Sequence, residues 1–440
     1  MTLMERVRTA EAESGRFVLD ADAWMLEELK DEVGAIIPGD TLASLSADNP
    51  KRARSELRSA MRTVFATSKW SARSSDAKDR LADELLDTVF GLGPLQPLVE
   101  NPEITEIMVN GTDAVFIERA GVVEFYGTLF ASSTQVRSLI DRILAPLGRR
   151  VDESSPMVDA RLPGGHRVNV VIPPIALDGP TITIRKFTEH AMRLEEMMRV
   201  GSFDGRVATL LKWAVVARKN IAVCGGTGSG KTTMLNALSC VIPLQERIVT
   251  IEDSAELRFS EHPHVVRMEA RARNAEGVGE VSIRDLVRNA LRMRPDRIIV
   301  GECRGAEALD MLAAMNTGHD GSLTTLHANS PADMVMRLVT MVRYGMDLPV
   351  EVIEGNIASA LDLVVQVARG RDGGRFVSAV ASVERGDARE PCRIRTVFAR
   401  QDMEGPGVWE RCPSWVDDLR EQGLANGREV AAWKAQCFFA

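Results

Sequence analysis

The stretch that decides the fold is Asn220-Ile-Ala-Val-Cys-Gly-Gly-Thr-Gly-Ser-Gly-Lys-Thr-Thr233. Its first part, residues 221–224, is an apolar run too short for a helix and bounded by glycine, so it predicts a buried strand. Residues 225–232 then match the pattern G-x-x-x-x-G-K-[ST], and apolar residues recur at helical spacing after them. A strand, a glycine loop and a helix in this order are the context that a phosphate-binding P-loop requires.

The residue types of this loop suit a phosphate group. Glycines let successive backbone N–H groups close around an anion without clashes of Cβ atoms, and the next helix adds its positive end. We expect Lys231 to reach the β- and γ-phosphates of a nucleotide and the Thr232 hydroxyl to ligate Mg²⁺. The alternative is a glycine-rich turn before an ordinary helix, but the matching flanks favour a nucleotide. The predicted nucleotide-binding residues are Gly225, Gly226, Thr227, Gly228, Ser229, Gly230, Lys231, Thr232 and Thr233.

The composition is that of a soluble globular protein with more than one domain. The chain has 440 residues, of which 45% are hydrophobic and 26% charged. A net charge of −8 argues against nucleic acid as the main partner. The six cysteines are scattered and form no C-x-x-C pair, which favours a reducing cytoplasm over a disulfide framework or a zinc site. No signal peptide or bilayer-spanning apolar run is visible, so we expect any work at a membrane to depend on partners.

The hydrophobic periodicity divides the chain into three parts. Residues 1–75 predict a helical N-terminal extension, residues 76–198 an α+β domain with a linker, and residues 199–440 an α/β domain. In the last part helices and strands alternate, which is typical of a RecA-like parallel sheet. From about residue 375 the pattern weakens to short strands and a tail that contains tryptophan, which we interpret as a C-terminal extension.

Acidic residues follow two predicted strands of the α/β domain. One strand leads into Glu252, Asp253 and Glu256, and the next ends at Glu302. Strands of such sheets deliver functional side chains from their carboxyl ends. Glu302 therefore has the position of a Walker B carboxylate, which holds the Mg²⁺ shell or orients the attacking water. The first cluster, taken alone, favours a solvated acidic loop.

Two histidines bracket the next predicted strand, residues 322–326. Gly318 and Gly321 would hold His319 on a tight loop, and His327 follows the strand. A histidine at a strand end can donate to a γ-phosphate or relay the state of the nucleotide. A lone histidine is more often structural, but two around one strand, among six in the chain, favour a functional role.

Three arginines of the α+β domain are candidates for contact with a phosphate that is held elsewhere. Arg161 and Arg167 flank residues 163–165, and a three-residue loop would place them directly opposite each other. A four-residue loop would break this pairing. Like charges in such a pair are unfavourable unless an anion or a carboxylate joins them. Arg185 ends the next predicted strand, and surface arginines on an edge of the sheet are the alternative to arginine fingers.

These motifs resemble the secretion and pilus traffic ATPases of type II and type IV secretion systems, and most closely the CpaF-like ATPases of tight-adherence (Flp) pili. The similarity covers roughly residues 85–370. Cys303 replaces a usual aliphatic residue, the cysteine-containing tail is unlike the family's common ending, and the zinc-binding tetracysteine of some members is absent. The stretches that carry the resemblance are Phe90–Leu95, Glu103–Asn110, Arg161–Arg167, Thr250–Asp253, Arg284–Asp296 and Gly301–Asn329.

The resemblance implies a hexameric ring whose subunits each have an N-terminal sensor-like (PAS-like) α+β domain and a C-terminal RecA-like motor, with ATP at the seam between them. It implies that residues 225–233 are the Walker A loop and Glu302 the Walker B glutamate. The remaining implied site residues are Glu252, Asp253 and Glu256 of the Asp box, His319 and His327 of the His box, and the phosphate-facing Arg161, Arg167 and Arg185. The implied ligands of Mg²⁺, partly through water, are Thr232, Glu252, Asp253 and Glu302.

The sequence therefore predicts a cytoplasmic, Mg²⁺-dependent ATPase that powers pilus assembly or type II/IV secretion through an inner-membrane platform. No transmembrane segment and no direct nucleic-acid partner are expected. Two alternatives stay open. One is a RecA-like nucleic-acid motor, against which the acidic net charge and the Asp-box and His-box pattern argue. The other is a regulatory module whose nucleotide state gates a partner without sustained hydrolysis.

Overall fold

A computed structural model of the protein describes residues 23–119, 121–162, 164–187, 192–259, 261–271, 273, 278–370 and 373–438. Contacts within the chain define two compact units, Met1–Thr188 and Glu189–Ala440. The segment that the sequence analysis assigned to the linker of the α+β domain, up to residue 198, thus falls largely in the second unit. There Leu194 and Met197 are part of the apolar core.

The first unit begins with a small helical bundle. Its helices are α1 (Ala23–Ile36), α2 (Gly39–Asp48), α3 (Pro50–Phe65), α4 (Ser68–Ser71) and α5 (Ser75–Phe90). The side chain of Asn49 accepts a hydrogen bond from the backbone of Arg52 and so caps α3. Apolar residues at helical spacing on these helices form one separate core, which includes Met25, Leu29, Val33, Leu57, Met61, Leu81 and Leu85.

The rest of the first unit is a six-stranded antiparallel sheet packed against one long helix. The strand order is β3-β2-β1-β6-β5-β4. The helix α7 is N-capped by Ser132 and buries Val136, Leu139 and Ile140. The elements are α6 (Gln96–Glu100), β1 (Ile104–Asn110), β2 (Ala114–Arg119), β3 (Val122–Gly127), α7 (Ser133–Leu144), β4 (Met157–Arg161), β5 (Arg167–Val171) and β6 (Thr181–Arg185).

The second unit is built on a nine-stranded sheet with the order β15-β14-β13-β12-β7-β11-β10-β8-β9. Within this sheet the consecutive strands β12-β7-β11-β10-β8-β9 are parallel to one another. Every residue of β7, β8, β10 and β11 is buried, as expected of strands covered on both faces. The strands are β7 (Ile221–Gly225), β8 (Ile248–Glu252), β9 (Val265–Glu269), β10 (Arg297–Val300), β11 (Leu323–Leu326), β12 (Leu363–Arg369), β13 (Arg375–Asp387), β14 (Glu390–Ala399) and β15 (Val408–Trp409).

Helices cover both faces of this sheet. Ile221 and Val223 of β7 belong to one apolar cluster, whereas Ala222 and Cys224 belong to a second, because alternate residues of a strand point to opposite faces. No helix in the described part of the chain is long and apolar enough to cross a membrane. The helices are α8 (Leu194–Arg199), α9 (Gly205–Val216), α10 (Lys231–Ser239), α11 (Ile283–Ala290), α12 (Glu307–Met315), α13 (Pro331–Gly345), α14 (Val350–Ala360), α15 (Trp415–Asp418) and α16 (Gly427–Phe438).

The C-terminal part corrects the expectation of short strands after residue 375. β13 has 13 residues and β14 has 10, and this antiparallel hairpin extends the same sheet through β12. The tail also joins the core: the ring of Trp433 lies 5.6 Å from that of Trp213, and its Nε1 donates to the Arg206 carbonyl at 2.9 Å. Arginine and glutamate side chains interrupt the apolar alternation of these strands. β13 and β14 nevertheless pair from Ala379 to Asp387, with one irregularity between Val380 and Ala381.

Candidate functional site

The loop between β7 and α10 has the backbone of a phosphate cradle. Gly228 and Gly230 have backbone φ angles of +69° and +93°. Residues that carry a Cβ atom rarely adopt such positive φ angles. A Cβ on Gly225 would come within 2.5 Å of both the Ser229 hydroxyl and a carbonyl oxygen of β12. The Ser229 hydroxyl donates to the Gly226 carbonyl at 2.8 Å and so closes the loop on itself. Three of the loop glycines are therefore required by geometry.

Lys231 is the first residue of α10 and brings a cation to the mouth of the loop. Its side chain is only 8% exposed, and a buried ammonium needs polar partners. Nζ donates to the Gly226 carbonyl at 3.0 Å and lies 3.4 Å from each ring nitrogen of His327. Thr232 and Thr233 follow in the first turn of the same helix. The structure thus joins the predicted lysine of the loop to one of the two predicted histidines.

The carboxyl ends of the parallel strands meet beside this loop. In the order β7-β11-β10-β8, His327 follows the strand next to the loop, Glu302 follows the second and Glu252 ends the third. His327 Nε2 lies 2.9 Å from Glu302 Oε1. Lys231, His327 and Glu302 are therefore connected side chain to side chain along one edge of the sheet.

His327 is held in its neutral form. Burial lowers the pKa of its imidazole, and the charge of Lys231 lowers this pKa further, while the Glu302 carboxylate opposes both effects. Since an unperturbed histidine titrates near 6.5, the ring carries one proton at neutral pH. The carboxylate at Nε2 favours that nitrogen as the proton's position. His327 can therefore donate to Glu302 without carrying a charge.

Arg304 is a site residue that the sequence analysis missed. Its Nη2 lies 2.5 Å from Glu302 Oε2, and its Nη1 lies 3.9 Å from Asp253. Glu302 itself is 19% exposed, so its carboxylate is fixed between an imidazole on one oxygen and a guanidinium on the other. The position two residues after the Walker B acid is the one signal in the sequence that points to Arg304.

Glu252 is a buried carboxylate with one oxygen that remains open. Its side chain accepts hydrogen bonds from the backbone N–H groups of Glu256 and Leu257 at 2.6 and 2.9 Å, both on Oε2. Oε1 is buried and has no hydrogen-bond partner among the described residues. Burial raises the pKa of Glu252, against the lowering effect of the two N–H groups. A carboxylate oxygen in this state is suited to a cation or to a water bound to one.

The oxygen donors at this edge fit a magnesium ion. The Thr232 hydroxyl, the Glu302 carboxylate and the open oxygen of Glu252 are hard ligands of the kind that Mg²⁺ prefers, and Mg²⁺ usually keeps several waters besides one or two carboxylates. Asp253 is 60% exposed and contacts Arg304 only at long range. Glu256 contributes its backbone N–H to Glu252.

Gly301 is required beside Glu252, and its replacement is a test of this packing. A Cβ at residue 301 would meet Cγ of Glu252 at 2.8 Å. We expect Gly301→Ala to lower the free energy of unfolding by about 1–3 kcal/mol, because a methyl group must displace a buried side chain. Urea unfolding measures the change. Gly355→Ala is the matched control: nothing lies within 4 Å of its Cβ position, and alanine in the helix α14 stabilises by up to about 1 kcal/mol. Equal unfolding free energies for Gly301→Ala and the unsubstituted protein would contradict this packing.

The structure does not bring His319 to the loop. β11 has four residues and runs parallel to β7, so His319, before the strand, lies at the edge of the sheet opposite to His327. A strand of this length separates the two histidines by roughly 13 Å or more. His319 Nδ1 lies 3.2 Å from the Ala314 carbonyl, and its own carbonyl accepts from Ser322 Oγ at 2.7 Å. Both contacts join His319 to residues three to five positions away in the sequence, so they stabilise the local turn.

The three predicted arginines of the first unit form a row across its sheet. Arg161 is directly opposite Arg167, and Arg167 is directly opposite Arg185. The Leu162 N–H donates to the His166 carbonyl at 2.9 Å, so the predicted pairing across a three-residue loop is confirmed. The row continues with two acids on β1 and β2, Glu106 and Glu118. Burial raises the pKa of Glu106, Glu118 raises it further and Arg185 lowers it.

Two arginines of α11 have a structural role. Arg284 and Arg288 both contact the carboxylate of Asp310 on α12, at 2.6 and 2.8 Å. The pairing ties α11 to α12 and leaves the carboxyl edge of the sheet to the residues described above.

This chain is similar in sequence to known proteins and similar in fold to solved structures. A family model described as type II/IV secretion system protein matches residues 89–387. A protein of Mycobacterium tuberculosis named for conjugal transfer is 39% identical over 305 residues, 68% of this chain and 86% of that protein. The type IV secretion system protein VirB11 of Brucella suis biovar 1 is 35% identical over 321 residues, 66% of this chain and 89% of that protein. The X-ray structure of the Yersinia pseudotuberculosis ATPase DotB has a TM-score of 0.50 at 16% identity, covering 82% of this chain and 94% of that one. The predicted fold class, a RecA-like α/β domain preceded by an N-terminal α+β domain, is confirmed.

Proposed function

We propose that this chain, which belongs to the type II/IV secretion system protein family, is the ATP-hydrolysing motor of a pilus-assembly or secretion machine. Membership of the family makes the chain an ATPase, so the family and the enzyme class predicted from the sequence are confirmed. The observation that carries the proposed motor chemistry is the connected set Lys231, His327 and Glu302 beside the loop. These side chains supply a cation, a neutral donor and a carboxylate beside the loop in which we propose that the phosphates bind.

In the proposed reaction the loop N–H groups and Lys231 bind the β- and γ-phosphates. Thr232, Glu252, Asp253 and Glu302 would hold Mg²⁺, partly through water. When bound, the ion neutralises charge between the β- and γ-phosphates. The protein's part is to fix these donors before the reaction, which the short contacts of Glu252 and Glu302 achieve.

Glu302 orients the attacking water in this mechanism. Its carboxylate accepts a hydrogen bond from the water, whose oxygen bonds to the γ-phosphorus as the bond to the bridging oxygen breaks, and ADP and phosphate leave. His327 Nε2 lies 2.9 Å from Oε1 and would donate to it with a small rotation of the ring, while Arg304 contacts Oε2, so the two side chains would keep the carboxylate facing the water. Because His327 is neutral, it holds Glu302 without removing the negative charge that attracts the water's proton.

The row of Arg161, Arg167 and Arg185 is proposed to neutralise phosphate charge from the N-terminal domain of a subunit in a hexameric ring. Its three arginines stand side by side on adjacent strands, so more than one guanidinium group could contact the same phosphate. A guanidinium pairs with phosphate oxygens in two parallel hydrogen bonds. The proposal makes the arginine row a part of the hydrolytic site.

Mixed oligomers test the arginine row. We expect Arg167→Ala subunits, titrated into the unsubstituted protein, to lower ATP turnover more steeply than simple dilution, because sites in a ring share neighbours. Phosphate release at a constant total protein concentration measures the curve. Arg119→Ala provides the matched control, since Arg119 lies on β2 of the same sheet and makes only long, exposed ion pairs among its described contacts. A strictly linear curve for Arg167→Ala would contradict the shared site.

The cellular role is proposed as follows. The motor acts in the cytoplasm on an inner-membrane platform, and the resemblance to CpaF-like ATPases makes a tight-adherence pilus the first system to test. Pull-down of the chain from its native cell, followed by identification of membrane-embedded partners, is the direct experiment. Recovery of a pilus or secretion platform supports the role. DNA-stimulated turnover would instead support a nucleic-acid motor, and absence of turnover with the platform present would support a gating module.

A further inference from the structure

The hairpin of β12 and β13 continues past the end of the P-loop strand. β12 pairs with β7 in parallel as far as Val367 opposite Gly225, where β7 ends and the loop begins. β12 itself runs on to Arg369, and Arg369 is directly opposite Arg375, the first residue of β13. Two arginines that follow the loop by more than 100 residues in the sequence therefore lie next to each other beside it.

Both arginines reach the loop glycines. Arg375 Nε donates to the Gly228 carbonyl at 3.0 Å, and its Cδ lies 3.2 Å from the position of a Cβ on Gly230. An Nη1 atom of Arg369 lies 3.8 Å from the corresponding position on Gly228. Both side chains are exposed to solvent.

The position of the hairpin indicates which part of a bound nucleotide would lie beside it. His327, Glu302 and Glu252 follow or end strands on one side of β7, whereas β12 and β13 lie on its other side. A nucleotide with its γ-phosphate towards Glu302 and its β-phosphate at Lys231 must extend its α-phosphate and nucleoside away from the carboxylates. The flank that remains for them is the one that carries Arg369 and Arg375.

We propose that Arg369 and Arg375 form a clamp on the α-phosphate end of the nucleotide, and that Arg375 also positions the loop through the Gly228 peptide. The proposal rests on the proposed function, because it requires a nucleotide in the loop. Adjacent guanidinium groups can each donate charge-assisted hydrogen bonds to one phosphate, and the pairing of β12 with β13 brings two such donors together beside the loop. The α-phosphate is present in both ATP and ADP. The clamp therefore sets the affinity for both nucleotides rather than the preference for one.

Binding of ADP and of the non-hydrolysable analogue AMP-PNP to the full-length chain tests the clamp. Hydrogen bonds to charged groups contribute about 1.5–3 kcal/mol, so we expect Arg375→Ala to weaken both nucleotides about ten-fold or more and by similar factors. Arg375→Lys, which keeps the charge but cannot contact the loop and a phosphate with one fork, should recover part of the loss. Arg385→Ala is the matched control: Arg385 is an exposed arginine at the other end of β13, and its affinities should be unchanged.

Each contrary result has its own meaning. A loss for AMP-PNP with unchanged ADP would overturn the clamp in favour of a γ-phosphate contact, and unchanged affinity for both would overturn it outright. Thermal unfolding without nucleotide checks the fold. If Arg375→Ala unfolds, Arg369→Ala decides the question, because it leaves the hydrogen bond from Arg375 to the Gly228 carbonyl in place. If the unsubstituted protein binds neither nucleotide, the proposed function fails together with the clamp, whereas normal binding with unaffected variants rejects the clamp alone.

Discussion

Lys231→Ala is expected to lower ATP turnover by about 100-fold or more while the fold stays intact, a loss of the size seen when a single transition-state donor is removed. Nζ of Lys231 sits between the Gly226 carbonyl and the ring of His327, and alanine leaves no cation there to meet the charge that develops on the phosphates. Steady-state phosphate release measures the loss. Circular dichroism and thermal unfolding check that the domain is folded.

The control for this substitution is Lys212→Ala. Lys212 lies on α9, is about half exposed and pairs with Glu195, so its loss should leave turnover within a factor of about two, as for an ordinary surface ion pair. Normal turnover in Lys231→Ala would remove the loop from the reaction and with it the proposed site.

Glu302→Gln is expected to bind ATP and hydrolyse it about 100- to 1,000-fold more slowly. Glutamine has the same shape and can still accept a hydrogen bond from Arg304, so the geometry around residue 302 persists. It carries no negative charge to attract a proton of the attacking water. Nucleotide affinity and single-turnover phosphate release, measured on the same preparation, separate binding from chemistry.

Glu351→Gln serves as the control for this second substitution, since Glu351 is exposed in the first turn of α14. Undiminished turnover in Glu302→Gln would move the water-orienting role to another residue. Glu252 is then the first candidate, because its Oε1 is open to a ligand. A loss of ATP binding, by contrast, would indicate that Glu302 acts mainly as a ligand of the metal and not in orienting the water.

The parts of the site that depend on local pattern could be predicted. Residues 221–233 specify their strand, loop and helix through nearest neighbours in the sequence, and the same holds for the hairpin that pairs Arg161 with Arg167. The meeting of His327 and Glu302 also follows from sequence, because carboxyl ends of adjacent parallel strands share one edge. These features need no knowledge of distant contacts.

Features that depend on long-range pairing could not be predicted. Arg375 reaches Gly228 only because β12 is the neighbour of β7, and no local pattern specifies which strands are neighbours. The sequence predicts that His319 and His327 bracket a strand, but only the neighbours of that strand show that the His327 end is the one beside the loop. The weak alternation after residue 375 hid a long hairpin, whose order comes from its partner strands and not from its own hydrophobicity.

The central place of β7 has a consequence for the way the protein is made. β7 is the first strand of the motor domain to leave the ribosome, yet its two neighbours, β11 and β12, are synthesised long after it. Such non-local pairing makes folding slow, and N-terminal segments must wait for later ones. During translation β7 lacks both neighbours until residue 369 has emerged, and an uncovered apolar strand of this kind is prone to aggregation. The order of synthesis therefore delays assembly of the sheet around the phosphate loop until most of the chain is complete.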